Sequence, residues 1–286
     1  APVERLLERL LREWKPDAVV CTYMVYPYML DSLASRTGRA VPYLTVVTDS
    51  FVINRSWLCS KSPVWAVTDP WTRVIMEEKG LPQDRLRVTG FPVNPVLGAL
   101  AKEHPLSWKE GEPFRVLYFA QRSARHARAE LAGMLDANPA LHVTCILGRR
   151  FRRIYPRIRD LRARYGRRLT VRGWTRRVPS YLAASHVVVG KAGGATVHEV
   201  LAAARPMLVN FLLPGQEEGN TRLLEKLGGG GHVPDVRALA SALQEMMADG
   251  GAQWRRMHEN LLRAGMTGGS GRIADLALKL AEEHTN

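Results

Sequence analysis

The chain is poor in cysteine and has no long apolar run. Its three cysteines, Cys21, Cys59 and Cys145, are odd in number, scattered, and without metal-ligand spacing. This excludes a disulfide framework and suits a reducing compartment. No apolar stretch reaches the ~18 residues that a membrane-spanning helix needs; candidates such as 207–213 are strand-sized. The opening residues carry no signal-peptide pattern and no initial Met. The first residues lead straight into an amphipathic pattern of Leu6, Leu7, Leu10, Leu11 and Trp14, so the beginning reads as cut or processed. No internal repeat or low-complexity tract appears. Acid is scarce as well: 27 Asp and Glu stand against 41 Lys and Arg, a net charge of +14. Such an excess attracts phosphates, nucleic acid or an acidic membrane surface, and alone does not choose among them.

What is present is ordinary globular material. With 286 residues, 46% of them hydrophobic and 24% charged, the chain can bury a core without staples and predicts one large or two medium domains. Short β-branched runs alternate with longer amphipathic ones, the pattern of βα units on a parallel sheet. Strands are expected at 18–22, 43–48, 64–68 and 86–89. Asp69-Pro70 opens a helix with a cap and a proline, and Lys79-Gly80 closes it. Residues 94–113, with Pro95, Pro105 and Pro113, are expected to link two domains. A second alternation follows, with strands at 114–119, 141–147, 169–171, 186–189 and 206–212. A helix at 221–227 is closed by the glycines at 228–231, and the tail 235–284 is helical with breaks at 249–251 and 267–271.

Chemistry concentrates between Lys191 and Asn220. Val187-Val188-Val189-Gly190-Lys191-Ala192-Gly193-Gly194-Ala195-Thr196 reads as a buried strand, a glycine turn and a helix start. Glycines let a backbone approach a ligand, and a helix N-terminus offers free N–H groups to a diphosphate; a plain tight turn would use the same residues. Glu199, one turn on, can accept two ribose hydroxyls, yet Thr196-x-x-Glu199 is equally a capping box. The second loop, Pro214-Gly215-Gln216-Glu217-Glu218-Gly219-Asn220, places polar side chains after the next strand, where ligands bind in open α/β sheets. Gln216, Glu217 and Asn220 have the donors and acceptors that sugar hydroxyls require. Asp49 lies at a strand end as an acceptor-orienting candidate or a loop cap.

These paired loops resemble the donor-site motifs of glycosyltransferase family 28, in the branch of monogalactosyldiacylglycerol synthases and bacterial diacylglycerol glucosyltransferases. Val46-Val47-Thr48-Asp49, Trp57-Leu58, Trp65-Ala66-Val67-Thr68 and Arg87-Val88-Thr89-Gly90-Phe91-Pro92-Val93 are similar in order and spacing, as is Gly173-Trp174, and the resemblance runs from about Asp17 to Pro234. It implies an α/β protein of the GT-B class, two Rossmann-like domains facing a cleft with the first one truncated: residues 1–95 as a partial acceptor-side domain, and 96–286 as the UDP-sugar donor-binding domain with terminal helices. It implies an inverting enzyme that moves a hexose from a UDP-sugar to a membrane lipid such as diacylglycerol, peripheral on the cytoplasmic face of a bacterial membrane, without metal or cofactor. Carried over, Gly193, Gly194 and Ala195 would hold the diphosphate and Glu199 the ribose, with Thr196 also in the donor site. Gln216, Glu217 and Asn220 would meet the sugar or nearby phosphate, with Gly173 and Trp174 near the uracil and Lys191 and Arg149 as basic helpers. Three departures stand out. The family's glycine-rich loop with its catalytic histidine is absent, so no base is assigned. Asn54 replaces the histidine that plant members carry after Thr-Asp. The strand at 114–119 runs into Ala120-Gln121-Arg122-Ser123 instead of a glycine cluster.

Arg152, Arg153, Arg157, Arg159, Arg162 and Arg164 are expected on one helix, as an anionic-membrane contact or a solvated face. Nucleic acid is not an expected partner, because no such motif appears and aromatics are not interleaved. Two alternatives keep the fold: another UDP-sugar enzyme (an epimerase, or a transferase acting on polyprenyl or peptidoglycan lipids), or a non-catalytic nucleotide- or membrane-binding homologue.

Overall fold

The protein is described here by a computed structural model covering residues 2–103 and 106–285; Ala1, the Pro105 of the expected linker, and the side chains of Ala101, Lys102, Gln216 and Thr285 lie outside the described residues. The chain forms two units, one of residues up to Val93 together with those from Gly268, the other of residues Asn94–Thr267.

The first unit begins with α1 (Pro2–Trp14), β1 (Val19–Cys21), α2 (Val25–Thr37), β2 (Tyr43–Val46), β3 (Trp65–Val67), α3 (Pro70–Glu78) and β4 (Leu86–Val88). Its sheet is parallel throughout, in the order β1-β2-β3-β4. The period of two sorts β3 cleanly: Trp65 and Val67 join Trp57, Met76 and Leu86 on one face, whereas Ala66 joins Leu44 and Val46 on the other. Truncating one such buried Trp costs roughly 3–5 kcal/mol. The cap expected for α3 is present, with the Asp69 carboxylate accepting from Thr72 N at 2.8 Å and Pro70 opening the helix.

The second unit contains α4 (Val96–Glu103), β5 (Phe114–Phe119), α5 (Ala124–Ala137), β6 (Leu141–Ile146), α6 (Phe151–Ile154), α7 (Arg159–Tyr165), β7 (Leu169–Arg172), α8 (Val178–Ala183), β8 (Val187–Lys191), α9 (Gly194–Ala202), β9 (Met207–Phe211), α10 (Gln216–Lys226), β10 (Gly230–His232) and α11 (Val236–Ala264). Its parallel sheet runs β10-β9-β8-β5-β6-β7. Chain order therefore reverses between β5 and β8, and the crevice for a ligand in such a sheet lies beyond the carboxyl ends at that switch.

Several expectations are corrected. The expected linker contains a helix, α4, because Pro95 stands just before its start, where the missing N–H costs nothing. The arginine run is not one helix: Pro156 and Ile158 separate α6 from α7, and Ile154, Ile158, Leu161 and Tyr165 turn inward while the arginines stay outside. The glycines at 228–231 do not merely end α10. Gly230 and Gly231, with His232, form β10, which pairs with β9; Gly230 has φ of 149°, and a Cβ there would lie 1.8 Å from Met207 O. The helix expected at 221–227 starts five residues earlier, at Gln216.

The last helix, α12 (Gly269–Thr285), returns to the first unit instead of staying with the second. Ile273, Leu276 and Leu280 pack on Leu44, Val46 and Ala66. Arg272 Nε donates to Thr89 O at 2.6 Å, and Ser270 Oγ donates to Val93 O. Only glycine fits at 269, where a Cβ would stand 2.1 Å from Phe91 O.

Three histidines are built into the second unit. His186 Nδ1 accepts from Arg115 N at 2.8 Å and its ring stacks on Phe114, while Trp254 Nε1 donates to His186 O at 2.8 Å. His258 stacks on Trp254 and its Nδ1–H donates to Ala204 O at 2.6 Å. His198 is buried on α9. Burial pushes His186 and His198 down to about 3, and lowers His258.

Candidate functional site

The carboxyl ends of β5, β6, β8 and β9 surround a cavity of about 510 Å³, lined by Phe119, Gln121, Arg149, Arg150, Lys191, Phe211 and Leu213 among others. It lies at the switch between β5 and β8. A second cavity of about 440 Å³ shares Gln121, Arg150 and Phe211 and adds Arg122, Ser123, His126 and Arg153. Both are rich in cations.

Lys191 is aimed by a register shift between Gly190 and Lys191, a bulge at the end of β8. Its ammonium pairs with Glu217 Oε1. Glu217 is buried, and its other oxygen accepts from Leu213 N at 2.7 Å, so the carboxylate ties the loop before α10 to the end of β8. Asn220 is fully buried and donates from Nδ2 to Ala192 O at 2.9 Å; its Oδ1 has no partner among the described residues. The two expected loops are thus joined by Lys191–Glu217 and by Asn220–Ala192. The Gln216 side chain lies outside the described residues.

The helix start is three residues earlier than a capping box would put it. Gly193 is the N-cap of α9, with φ −68° and ψ 138°, and no side chain caps it. Gly194, Ala195 and Thr196 are the first three helical residues, whose N–H groups have no acceptor within the helix. Thr196 therefore caps nothing, and the capping-box alternative for Glu199 falls. The Glu199 carboxylate is half-buried, makes no hydrogen bond or ion pair among the described residues, and burial raises its pKa. An acceptor so placed has unused capacity.

Other expected residues are dispersed. Arg149 lines the first cavity, as Lys191 does. Gly173 and Trp174 follow β7 at the sheet edge and line neither cavity; Gly173 sits over the Phe151 ring, and Trp174 is 59% exposed beneath the Arg176 guanidinium. Asp49 belongs to the first unit, is buried, and accepts from Trp57 Nε1 at 2.8 Å. Among the described residues no group of three or more His, Cys, Asp or Glu could hold a metal ion, and no helix is long and apolar enough to cross a membrane.

Sequence reasoning does not place Arg122, Arg150 and Arg153 at the site: there Arg153 is part of the arginine run, Arg122 is only part of the departure after the strand at 114–119, and Arg150 is not singled out. Arg122 stands 3.5 Å from Glu130, a buried carboxylate that also accepts from Asn210 Nδ2 at 2.8 Å and from the Tyr118 hydroxyl. Arg150 braces the loop after β5 by donating to Gln121 O. What marks that loop is that it leaves the first strand of a sheet whose order reverses there, a feature of strand order in space and not of residue spacing.

Two Rossmann-like units of this kind define the GT-B class. Solved structures with the same fold include MurG of Acinetobacter baumannii, with a TM-score of 0.67 at 15% identity over 95% of this chain and 76% of that one. Another is the UDP-GlcNAc 2-epimerase of Neisseria meningitidis bound to UDP-GlcNAc, with a TM-score of 0.68 at 13% identity over 97% and 80%. The family model for monogalactosyldiacylglycerol (MGDG) synthase matches residues 1–93. The processive diacylglycerol beta-glucosyltransferase of Bacillus subtilis (strain 168) is 23% identical over 285 residues, which is 98% of this chain and 73% of the relative. That of Staphylococcus carnosus (strain TM300) is 24% identical over 252 residues, 86% and 63%. The chain spans less than two thirds of the Staphylococcus relatives it matches, 63% of one and 58% of another. Over residues 1–93 the chain is similar to the monogalactosyldiacylglycerol synthase family, and along most of its length it is similar to diacylglycerol glucosyltransferases.

Proposed function

We propose that this chain is an enzyme, a UDP-sugar-dependent hexosyltransferase that moves a hexose, with inversion at the anomeric carbon, onto a membrane lipid such as diacylglycerol. The observation that carries the proposal is Glu199: a half-buried carboxylate without a partner among the described residues, one turn into a helix whose N-terminus carries free N–H groups. Two ribose hydroxyls would satisfy its two oxygens. The N–H groups of Gly194, Ala195 and Thr196, with the Lys191 and Arg149 cations, would offset the charge that develops on departing UDP. Glu217 and Asn220 act by holding Lys191 and the glycine turn in place. Gly173-Trp174 is the proposed uracil-side turn. No metal or cofactor is proposed, since the UDP-sugar is a co-substrate. The names of the relatives support diacylglycerol as acceptor, and the net charge of +14 supports a peripheral position on the anionic cytoplasmic face of a membrane.

The test is direct. The chain is incubated with radiolabelled UDP-glucose or UDP-galactose and diacylglycerol in anionic vesicles, and the lipid fraction is chromatographed. A labelled glycolipid with a β-linkage is expected. No labelled lipid, together with no UDP binding by calorimetry, removes the proposal. An isomerised sugar nucleotide in place of a glycolipid would favour the epimerase alternative.

A further inference from the structure

The loop after β2 carries a bulky residue in the left-handed region: Phe51 has φ of 59°. That conformation is unfavourable for a residue with a Cβ and persists only where the surroundings impose it. Here they do. Ser50 Oγ lies 2.9 Å from Thr68 Oγ1, which donates to Asp69 Oδ2 at 2.7 Å. Thr72 Oγ1 donates to the same oxygen at 2.8 Å and accepts from Phe51 N at 3.1 Å. Ser50, Thr68, Asp69 and Thr72 are all buried. This locked network does not send the Phe51 ring into the core. It leaves the ring half-buried against the half-buried Trp71, centroids 5.8 Å apart and planes 26° from parallel. The pair stands at the carboxyl edge of a parallel sheet, the edge where ligands bind. The same edge carries Tyr23 and Tyr26, 55% and 42% exposed, after the neighbouring strand β1.

We propose that Phe51 and Trp71 form a stacking platform for the hexose of an acceptor lipid that already carries one sugar, so that this pair governs addition of a second hexose. The assignment depends on the hexosyltransferase function proposed above. One face of a pyranose is a set of C–H bonds, whose slightly positive hydrogens meet the negative face of an aromatic ring. A bilayer interface also selects exposed Tyr and Trp, but it requires no fixed ring geometry, whereas Phe51 is held rigidly at a conformational cost. In the second addition, a hydroxyl oxygen of the bound hexose forms a bond to the donor's anomeric carbon. The anomeric carbon–oxygen bond to the diphosphate breaks with its electron pair going to UDP, and the hydroxyl proton passes to solvent base.

The experiment compares wild type with Phe51→Gly, Phe51→Leu and Trp71→Ala in the full chain, using UDP-glucose with either diacylglycerol or monoglucosyl-diacylglycerol in mixed micelles. Glycine accepts φ of 59° without strain, so Phe51→Gly relieves the backbone while deleting the ring; Phe51→Leu keeps apolar bulk and is the folding control. Expected is a rise of tenfold or more in KM for monoglucosyl-diacylglycerol in all three variants, with the rate on diacylglycerol within twofold of wild type. Equal use of the sugar-headed lipid by variants and wild type, or equal loss on both acceptors, overturns the platform. Saturation-transfer NMR with octyl β-glucoside reads the platform without turnover. Binding that is lost in Phe51→Leu and Trp71→Ala supports the pair as a sugar-stacking surface even if no transfer occurs, in which case it is the hexosyltransferase function, and with it the role in a second addition, that fails. Binding unchanged in both variants overturns it even if transfer to diacylglycerol is robust.

Discussion

Replacing Glu199 by Gln should lower nucleotide affinity without lowering stability. In the free protein this carboxylate is half-buried without a partner among the described residues, and burial raises its pKa. A raised folded-state pKa means that the stability Glu199 contributes is complete below its unfolded pKa and is lost as pH rises through the folded one. At pH 7.5 the ionised group is therefore a burden on the fold, and Glu199→Gln should leave the melting temperature unchanged or raise it. Nucleotide affinity should fall, because hydrogen bonds to a charged acceptor are worth about 1.5–3 kcal/mol and the amide keeps only one neutral acceptor. A loss of about 2–3 kcal/mol corresponds to a Kd for UDP raised about 30- to 150-fold. Calorimetry with UDP and with 2′,3′-dideoxy-UDP separates the cause: the dideoxy compound should bind wild type as weakly as UDP binds the variant, and the variant should not distinguish the two. A variant that melts lower than wild type yet binds UDP within twofold of it would refute the reasoning.

The remaining predictions concern the scaffold. Lys191→Met leaves the buried Glu217 carboxylate with only its Leu213 N contact among the described residues; because the lysine is partly solvated, urea denaturation should show a loss of about 1–3 kcal/mol, with weaker UDP binding. His186, His198 and His258 are held neutral by burial, with folded values below the unfolded one. Their contribution is complete above pH ~6.5 and is lost as pH falls toward ~3, so unfolding at pH 5 should take up as many as about three protons, each worth about 1.4 kcal/mol per pH unit. Calorimetric stability that stays flat from pH 7 to 5 would contradict this. Gly230→Ala puts a Cβ against Met207 O and should cost on the order of 3 kcal/mol or more, read as a lower urea midpoint.

Much of the architecture could be read from the chain alone, because burial on both faces makes parallel strands continuous apolar runs. Residues 114–119 and 141–147 fall on β5 and β6 for that reason. The misreadings came from treating glycine and proline only as breakers. Gly230 and Gly231 are two of the three residues of β10, where close approach of β9 demands glycine. Pro95 introduces α4, and Pro156 interrupts the arginine run that was expected to be one helix. In the site, the strand–glycine–helix pattern located α9. The pattern Thr196-x-x-Glu199 left a cap and a ligand contact equally open, and only the position of Gly193 as N-cap removed the first. The cationic lining by Arg122, Arg150 and Arg153 depends on strand order in space, which residue spacing does not carry.

The return of α12 to the first unit means that synthesis and folding run in different orders. The second unit is a continuous stretch, Asn94–Thr267, and has its full complement of residues while the first still lacks the helix that covers Leu44, Val46 and Ala66. On a ribosome the earlier-made sheet must wait, with one apolar face open, until residues beyond 268 emerge. That face is then an exposed apolar surface of the kind a holding chaperone covers. A stop codon shortly before Gly268 should spare the later-made unit and deprive the earlier-made one of its cover.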